Sequence, residues 1–189
     1  MARLCEIGVP GEVLVRARKG DERARAQLYG ALAPATFGLI RRLVGARPLA
    51  EDLFQDTMIG VFERLDTFRG EAPLGAWVRQ IAVSRCLMHL RSPWHRARCA
   101  LERAGGLEAA GVTQPPRAES LDVERALGSL SPTARAVVWL YEVEGYSHEE
   151  IARAFGRSVS FSKSQLARSH QRLREWFDVQ PDREPCTPV

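Results

Sequence analysis

Residues 130–177, LSPTARAVVWLYEVEGYSHEEIARAFGRSVSFSKSQLARSHQRLREWF, carry three short helical patterns whose starts and stops are spelled in the sequence. Ser131 followed by Pro132 is a cap and a first-turn proline, and Gly145 closes that helix. Ser147 and Glu150 form a capping box that opens the second helix, which Gly156 closes. Ser158 is placed to cap the third. Ile151, Ala152 and Phe155 fall on one inward face, and Ala152 and Gly156 are small where two helices must cross closely. Short helices joined by so tight a break constrain this half of the chain to a helix-turn-helix.

Helical spacing recurs along the rest of the chain, and alternating strand patterns are absent. The spacing predicts helices over 12–19, 22–44, 49–65 and 73–91, and over 121–128, 132–144, 148–155 and 159–177. Gly20 ends the first, and Asp21 is placed to cap the second. Pro34 is expected to break or kink that second helix, because proline lacks an N–H and its ring clashes with the preceding turn. Pro73 suits a first helical turn. Residues 103–120 change character, with Gly105, Gly106, Pro115 and Pro116 among small side chains, as in a linker. A flexible coil of roughly 17 residues would hold its ends about 23 Å apart, and stretched out it would reach about 55 Å. The expected fold class is all-α: two small helical domains joined by a flexible linker, the C-terminal one a helix-turn-helix. The expected boundaries are 10–102 and 121–178 for the domains, 103–120 for the linker and 179–189 for a frayed proline-rich tail.

Where charge sits matters more than its sum. The 189 residues carry a formal net charge of only +4. Yet between Gly156 and Arg174 stand Arg157, Lys163, Arg168, Arg172 and Arg174 with no acid, the local density that phosphate contacts need. The third helix would then lie in a DNA major groove with its N-terminal residues at base edges. In the N-terminal half, Asp52, Gln55, Asp56 and Ile59 fall at i, i+3, i+4 and i+7, hence on one helix face. Acid, amide and one apolar side chain suit a basic partner helix.

Several function classes are set aside. There is no G-x-x-x-x-G-K, G-x-G-x-x-G, H-E-x-x-H or G-x-S-x-G. Asp52 and Asp56 lie one turn apart but have no neighbouring nucleophile or apolar pocket, so neither an enzyme nor a small-molecule substrate is expected. Cys86, His89, His95 and Cys99 are zinc-ligand types, yet Leu87 and Leu90 make that helix amphipathic without a metal and Pro93 is placed to turn the chain away. No metal or cofactor is expected. The four cysteines, Cys5, Cys86, Cys99 and Cys186, are scattered as in a reducing compartment. The N-terminus shows no signal-peptide pattern and no apolar run reaches 18 residues, so the expected location is cytoplasmic.

The C-terminal pattern resembles region 4 of the extracytoplasmic-function sigma factors of bacterial RNA polymerase, members of the sigma-70 family. That pattern runs L-S/P-P-x-x-R-x-V, G-x-S-x-x-E-I-A and G-x-S-x-x-x-x-K/R-S. The chain supplies Leu130, Ser131, Pro132, Arg135, Gly145, Ser147, Glu150, Ile151, Ala152, Gly156, Ser158, Lys163 and Ser164. Residues 50–92 resemble region 2 through Asp52, Leu53, Gln55, Asp56, Met58 and Phe62, then Phe68, Arg69, Gly70, Trp77, Ile81 and Ala82. With Leu28, Tyr29 and Pro34 upstream, the likeness covers most of 21–98.

The resemblance implies an alternative sigma factor that binds core RNA polymerase, recognises promoter DNA and promotes strand opening. It implies that Asp52, Gln55, Asp56 and Ile59 grip the clamp helices of the largest polymerase subunit. The minus-ten element would be met by Phe68, Arg69, Trp77, Ser84, Arg85 and Arg91, with Trp77 either holding a flipped base with the FRGEAP loop or packing as a core aromatic on the previous helix. Arg79, Arg96, Arg98 and Arg103 offer further phosphate contacts by charge alone. The minus-thirty-five element would be read by Lys163, Ser164, Gln165, Ala167, Arg168 and Arg172. An anti-sigma protein is the further partner that the resemblance implies.

The chain departs from the family pattern at several places. Phe161 and Ser162 replace small and β-branched residues, and Gln165 stands where arginine is usual. Gln reads adenine where Arg reads guanine. Ser84 and Met88 replace an asparagine and an aspartate, which leaves the minus-ten base preference open. The residues alone also fit a conventional helix-turn-helix regulator with an N-terminal sensor or dimerisation domain, or a protein-binding adaptor. The D-L-x-Q and F-R-G…W series speaks against the first, and the basic run after Gly156 against the second.

Overall fold

The apolar periodicity is realised as helices: among the described residues there is no strand. The structure, a computed structural model, describes residues 4–93 and 118–178. The chain divides into two units, Met1–Val112 and Thr113–Val189. Most of the expected linker and all of the expected tail lie outside the described residues.

The first unit opens with a 3-10 turn, Leu4–Glu6, which sequence periodicity did not reveal. Among the described residues four helices follow: α1 (Gly11–Arg18), α2 (Glu22–Val44), α3 (Arg47–Glu63) and α4 (Leu74–Arg91), with a second 3-10 turn, Leu65–Thr67, between α3 and α4. Asp21 caps α2 as expected, accepting from the Arg23 and Ala24 amides at 2.9 and 3.1 Å. The Arg16 guanidinium hydrogen-bonded to Asp21 holds that carboxyl below its ordinary value, with help from the Ala24 amide.

α2 is the centre of this unit and packs on α1, α3 and α4. Its Leu28, Leu32, Ile40 and Leu43 are fully buried with Val61 of α3 and Val78 and Leu87 of α4. That packing overrides Pro34, and α2 runs unbroken through it. The reason is local. Pro34 and Gly30 both lie on the exposed side, so water can take the carbonyl that loses its partner. Two buried hydroxyls are satisfied within their own helices: Thr36 donates to the Leu32 carbonyl at 2.8 Å and Thr57 to that of Leu53 at 2.6 Å. α3 starts two residues earlier than its periodicity predicts, with Pro48 in its first turn, whereas Pro73 precedes α4 as an extended cap.

The second unit contains α5 (Ala118–Gly128), α6 (Pro132–Val138), a π turn (Trp139–Val143), α7 (His148–Phe155) and α8 (Val159–Asp178). The expected caps are in place. Ser131 accepts from the Ala134 amide, Ser147 and Glu150 close a reciprocal capping box, and Ser158 accepts from the Phe161 amide. Gly156 is left-handed, with φ 62°. The predicted 132–144 helix instead ends as α-helix at Val138. The widened turn carries Leu140 into the core with no exposure, and bonds from the Glu144 and Tyr146 amides to the Trp139 and Leu140 carbonyls close it. Val137, Leu140, Ile151, Phe155 and Leu166 make the core beneath the helix-turn-helix. Arg135 staples the α5–α6 turn, donating to the Leu127, Gly128 and Leu130 carbonyls at 2.9, 3.3 and 3.4 Å.

Candidate nucleic-acid and protein interfaces

α8 has a dry side and a wet side. Ser162, Leu166 and Ser169 are buried against the rest of the unit. Lys163, Ser164, Ala167, Arg168 and Arg172 are exposed along the opposite face, and Gln165 is half-buried at its rim. Arg168 lies along the helix, its Nε donating to the Ser164 carbonyl at 3.2 Å. Phe161 and Ser162, the two departures in this segment, have partners that explain them. Phe161 packs on Phe155 at 5.7 Å between ring centroids. Ser162 is fully buried and its hydroxyl meets His148 Nδ1 at 3.0 Å. The His148 ring stacks on Tyr141 of the π turn, and His170 of α8 reaches Glu142 of the same turn at 2.9 Å. The angle of α8 is thus held by the turn that precedes the helix-turn-helix.

On α3, Leu53, Thr57 and Gly60 face inward, while Asp52, Gln55, Asp56 and Ile59 share the exposed face. Ile59 is 57% exposed, an apolar side chain left in water beside two acids.

The residues expected at the minus-ten element differ in exposure. Arg69, Ser84 and Arg91 are exposed, and Met88, at 65%, is exposed beside them on α4. Trp77 is half-buried. Phe68 is only 8% exposed, and its ring packs on Trp77 at 5.4 Å, so it lies in the core under the loop. Arg85 is half-buried and lies across α3, where a Cβ on Gly60 would stand 2.4 Å from its Nη2. That position ties α4 to α3. Arg96, Arg98 and Arg103 lie outside the described residues.

The four-residue Cys/His series is not assembled in what is described. His95 and Cys99 lie outside, and no group of potential metal ligands occurs among the described residues. Burial pushes the Cys86 thiol up to about 12, so it is neutral at physiological pH. Peptide mapping after brief iodoacetamide treatment at neutral pH should find Cys86 unmodified and half-exposed Cys5 alkylated. Equal labelling of the two would contradict the packing of α4. Above about pH 9 the unfolded chain loses the thiol proton while the folded chain keeps it, so this group lowers stability as pH rises towards 12.

Sequence reasoning missed two residues that matter here. Arg18 of α1 donates from Nε to the Leu65 carbonyl at 3.1 Å and from Nη2 to the Phe68 carbonyl. Arg135 was visible only as part of a motif, whereas its work is the staple described above.

Residues 28–96 match the family described as Sigma-70 region 2, and residues 120–173 match Sigma-70, region 4. The chain is 32% identical over 164 residues to the RNA polymerase sigma factor CarQ of Myxococcus xanthus, covering 85% of this chain and 92% of that protein. It is 30% identical over 169 residues to the ECF RNA polymerase sigma factor SigE of Mycolicibacterium smegmatis, covering 84% of this chain and 64% of the relative's length. In fold it is similar to the sigma factor RpoE of Bartonella quintana, solved in complex with the anti-sigma factor NepR. The TM-score there is 0.59 at 24% identity, over 82% of this chain and 97% of that one. No helix among the described residues is long and apolar enough to cross a membrane.

Proposed function

We propose that this chain, which belongs to the sigma-70 family and within it to the extracytoplasmic-function RNA polymerase sigma factors, divides promoter recognition and polymerase binding between its two units. It is an alternative sigma factor of transcription initiation, and it acts with polymerase in the cytoplasm. The observation that carries the division is a pair of exposed faces of opposite character. The α3 face presents Asp52, Gln55, Asp56 and Ile59, and the α8 face presents Lys163, Arg168 and Arg172 with no acid between Gly156 and Arg174.

The α3 face docks on basic clamp helices of the largest polymerase subunit, where Ile59 loses its water and the two carboxylates meet cations. The α8 face enters the minus-thirty-five major groove. Lys163, Arg168 and Arg172 take phosphates, while Ser164, Ala167 and Gln165 meet base edges. The exposed loop from Arg69 to Pro73, with Trp77 behind it and Ser84, Arg85 and Arg91 along α4, receives the unpaired minus-ten strand. Phe68 supports Trp77 from beneath. The protein performs no covalent chemistry: binding energy to exposed bases drives opening. RpoE of Bartonella quintana, similar in fold, was solved in complex with the anti-sigma factor NepR, and we propose a partner of that kind here.

Run-off transcription with bacterial core polymerase, this protein and a genomic fragment library should yield defined transcripts that require the protein. Duplex binding by the protein alone with no dependent transcript would replace this reading with a conventional regulator.

A further inference from the structure

The loop assigned to base capture is gripped at both ends by the N-terminal residues of the chain. At its entrance, the Arg18 fork holds the Leu65 and Phe68 carbonyls. At its exit, the Gly75 amide donates to the Ile7 carbonyl at 3.2 Å. There the approach is so close that a Cβ on Gly75 would stand 1.8 Å from the Leu4 carbonyl oxygen. No flexible side chain is there to yield, because the obstacle is backbone. Leu4, Val13 and Ala17 are buried at 4, 5 and 0% exposure, so the gripping segment is itself anchored in the unit. Between the two grips, Arg69 to Pro73 are all exposed, and Gly70 turns with φ 78°.

Helix ends and 3-10 turns on a wet surface can give their carbonyls to water. Here a half-buried guanidinium spans two of them, about 50 residues along the chain from its own position. The arrangement fixes where the loop starts and where it ends while leaving its five residues open. A loop held in that way has less freedom to lose when a base arrives. Residues 4–18 lie outside both stretches that match the family, 28–96 and 120–173, so nothing in that likeness assigns them a role.

We propose that residues 4–18 are a positioning element for single-stranded promoter DNA, presetting the 69–73 loop to receive an unstacked base. Arg18, Ile7 and Gly75 touch no DNA; they act through the loop. The proposal rests on the reading of that loop given above.

The test uses complete holoenzyme with Arg18→Gln, Arg18→Lys, Gly75→Ala and a chain lacking residues 1–9, beside Arg69→Ala in the loop itself. Fluorescence anisotropy reads affinity for a fork-junction promoter carrying the single-stranded minus-ten strand, for a minus-thirty-five duplex, and for core polymerase. Arg18→Gln, Gly75→Ala and the truncation should each weaken fork binding by about tenfold. Core and duplex binding should stay unchanged. Arg18→Lys, which keeps the charge and one donor nitrogen but loses the fork, should recover part of the loss. Equal losses for fork and core polymerase would mean that the segment only stabilises the unit, and would overturn the proposal. So would unchanged fork binding in these variants while Arg69→Ala weakens it. If Arg69→Ala has no effect either, the loop is not the base-capture site and the underlying reading fails first.

Discussion

Replacing Asp52 and Asp56 together by lysine should strongly weaken assembly with core polymerase and leave the first unit folded. Both carboxylates stand on the exposed face of α3, and neither is in an ion pair with a described residue. Their removal therefore costs the isolated fold little, within about 0.5 kcal/mol for each surface position. At a docked interface the sum is different. Ile59 beside them has to lose its water, so the acids would meet the partner's cations where screening is weak. Removing one member of such a pair costs about 2–5 kcal/mol, and placing a like charge there adds repulsion. The double reversal should weaken binding by at least about 100-fold, which corresponds to roughly 3 kcal/mol. Titration of labelled protein with core polymerase measures it, with circular dichroism as the check on folding. An affinity within twofold of the unaltered protein would remove this face from the polymerase contact.

What could be read from the sequence was what the chain decides locally. A cap and the amide it satisfies lie three residues apart, so Ser131 and Ser147 with Glu150 spell the helix starts, and Gly156 the left-handed stop, in the sequence itself. The same holds for the exposed face of α3, because a 3.6-residue period fixes which side chains share a side. Long-range contacts left no such mark. Arg18 is joined to Leu65 and Phe68 across 47 and 50 residues, and in sequence it is one of several arginines in a basic segment. Gly75 reads as an ordinary small residue until Leu4 is placed against it.

Pro34 does not break α2 because the cost of its missing hydrogen bond depends on which side of the helix it occupies, and that is set by packing. Phe68 is placed by packing in the same way. It stands in an F-R-G series whose other members are exposed, yet its ring is the piece of that loop that enters the core. A motif carries both the residues that touch a ligand and those that hold them in place, and sequence spacing alone does not separate the two. Phe161 and Ser162 show the reverse case. They look like defects against the family pattern, but Phe155 and His148 receive them, so the packing of α8 is altered and still complete.

The second large effect concerns the α8 face, where affinity and specificity should separate. Changing Lys163, Arg168 and Arg172 together to alanine removes three exposed cations from one side of the helix. Each phosphate that goes without its cation lowers the dependence of log affinity on log salt by about 0.9. The triple variant should therefore flatten that slope by nearly three and weaken every duplex alike, most of all at low salt. Gln165→Ala should behave otherwise. Gln165 sits at the rim of the face, half-buried, its backbone carbonyl accepting from the Ser169 hydroxyl at 2.7 Å. Truncating its side chain leaves that bond and the salt slope in place. It should cost about 1–3 kcal/mol of discrimination at one base pair, the worth of a bidentate amide–adenine contact. Anisotropy titrations of holoenzyme on a minus-thirty-five library at several salt concentrations separate the two quantities. If the triple variant keeps its slope, the basic face of α8 is not on the phosphates. If Gln165→Ala weakens all sequences equally, Gln165 supports the helix and reads no base.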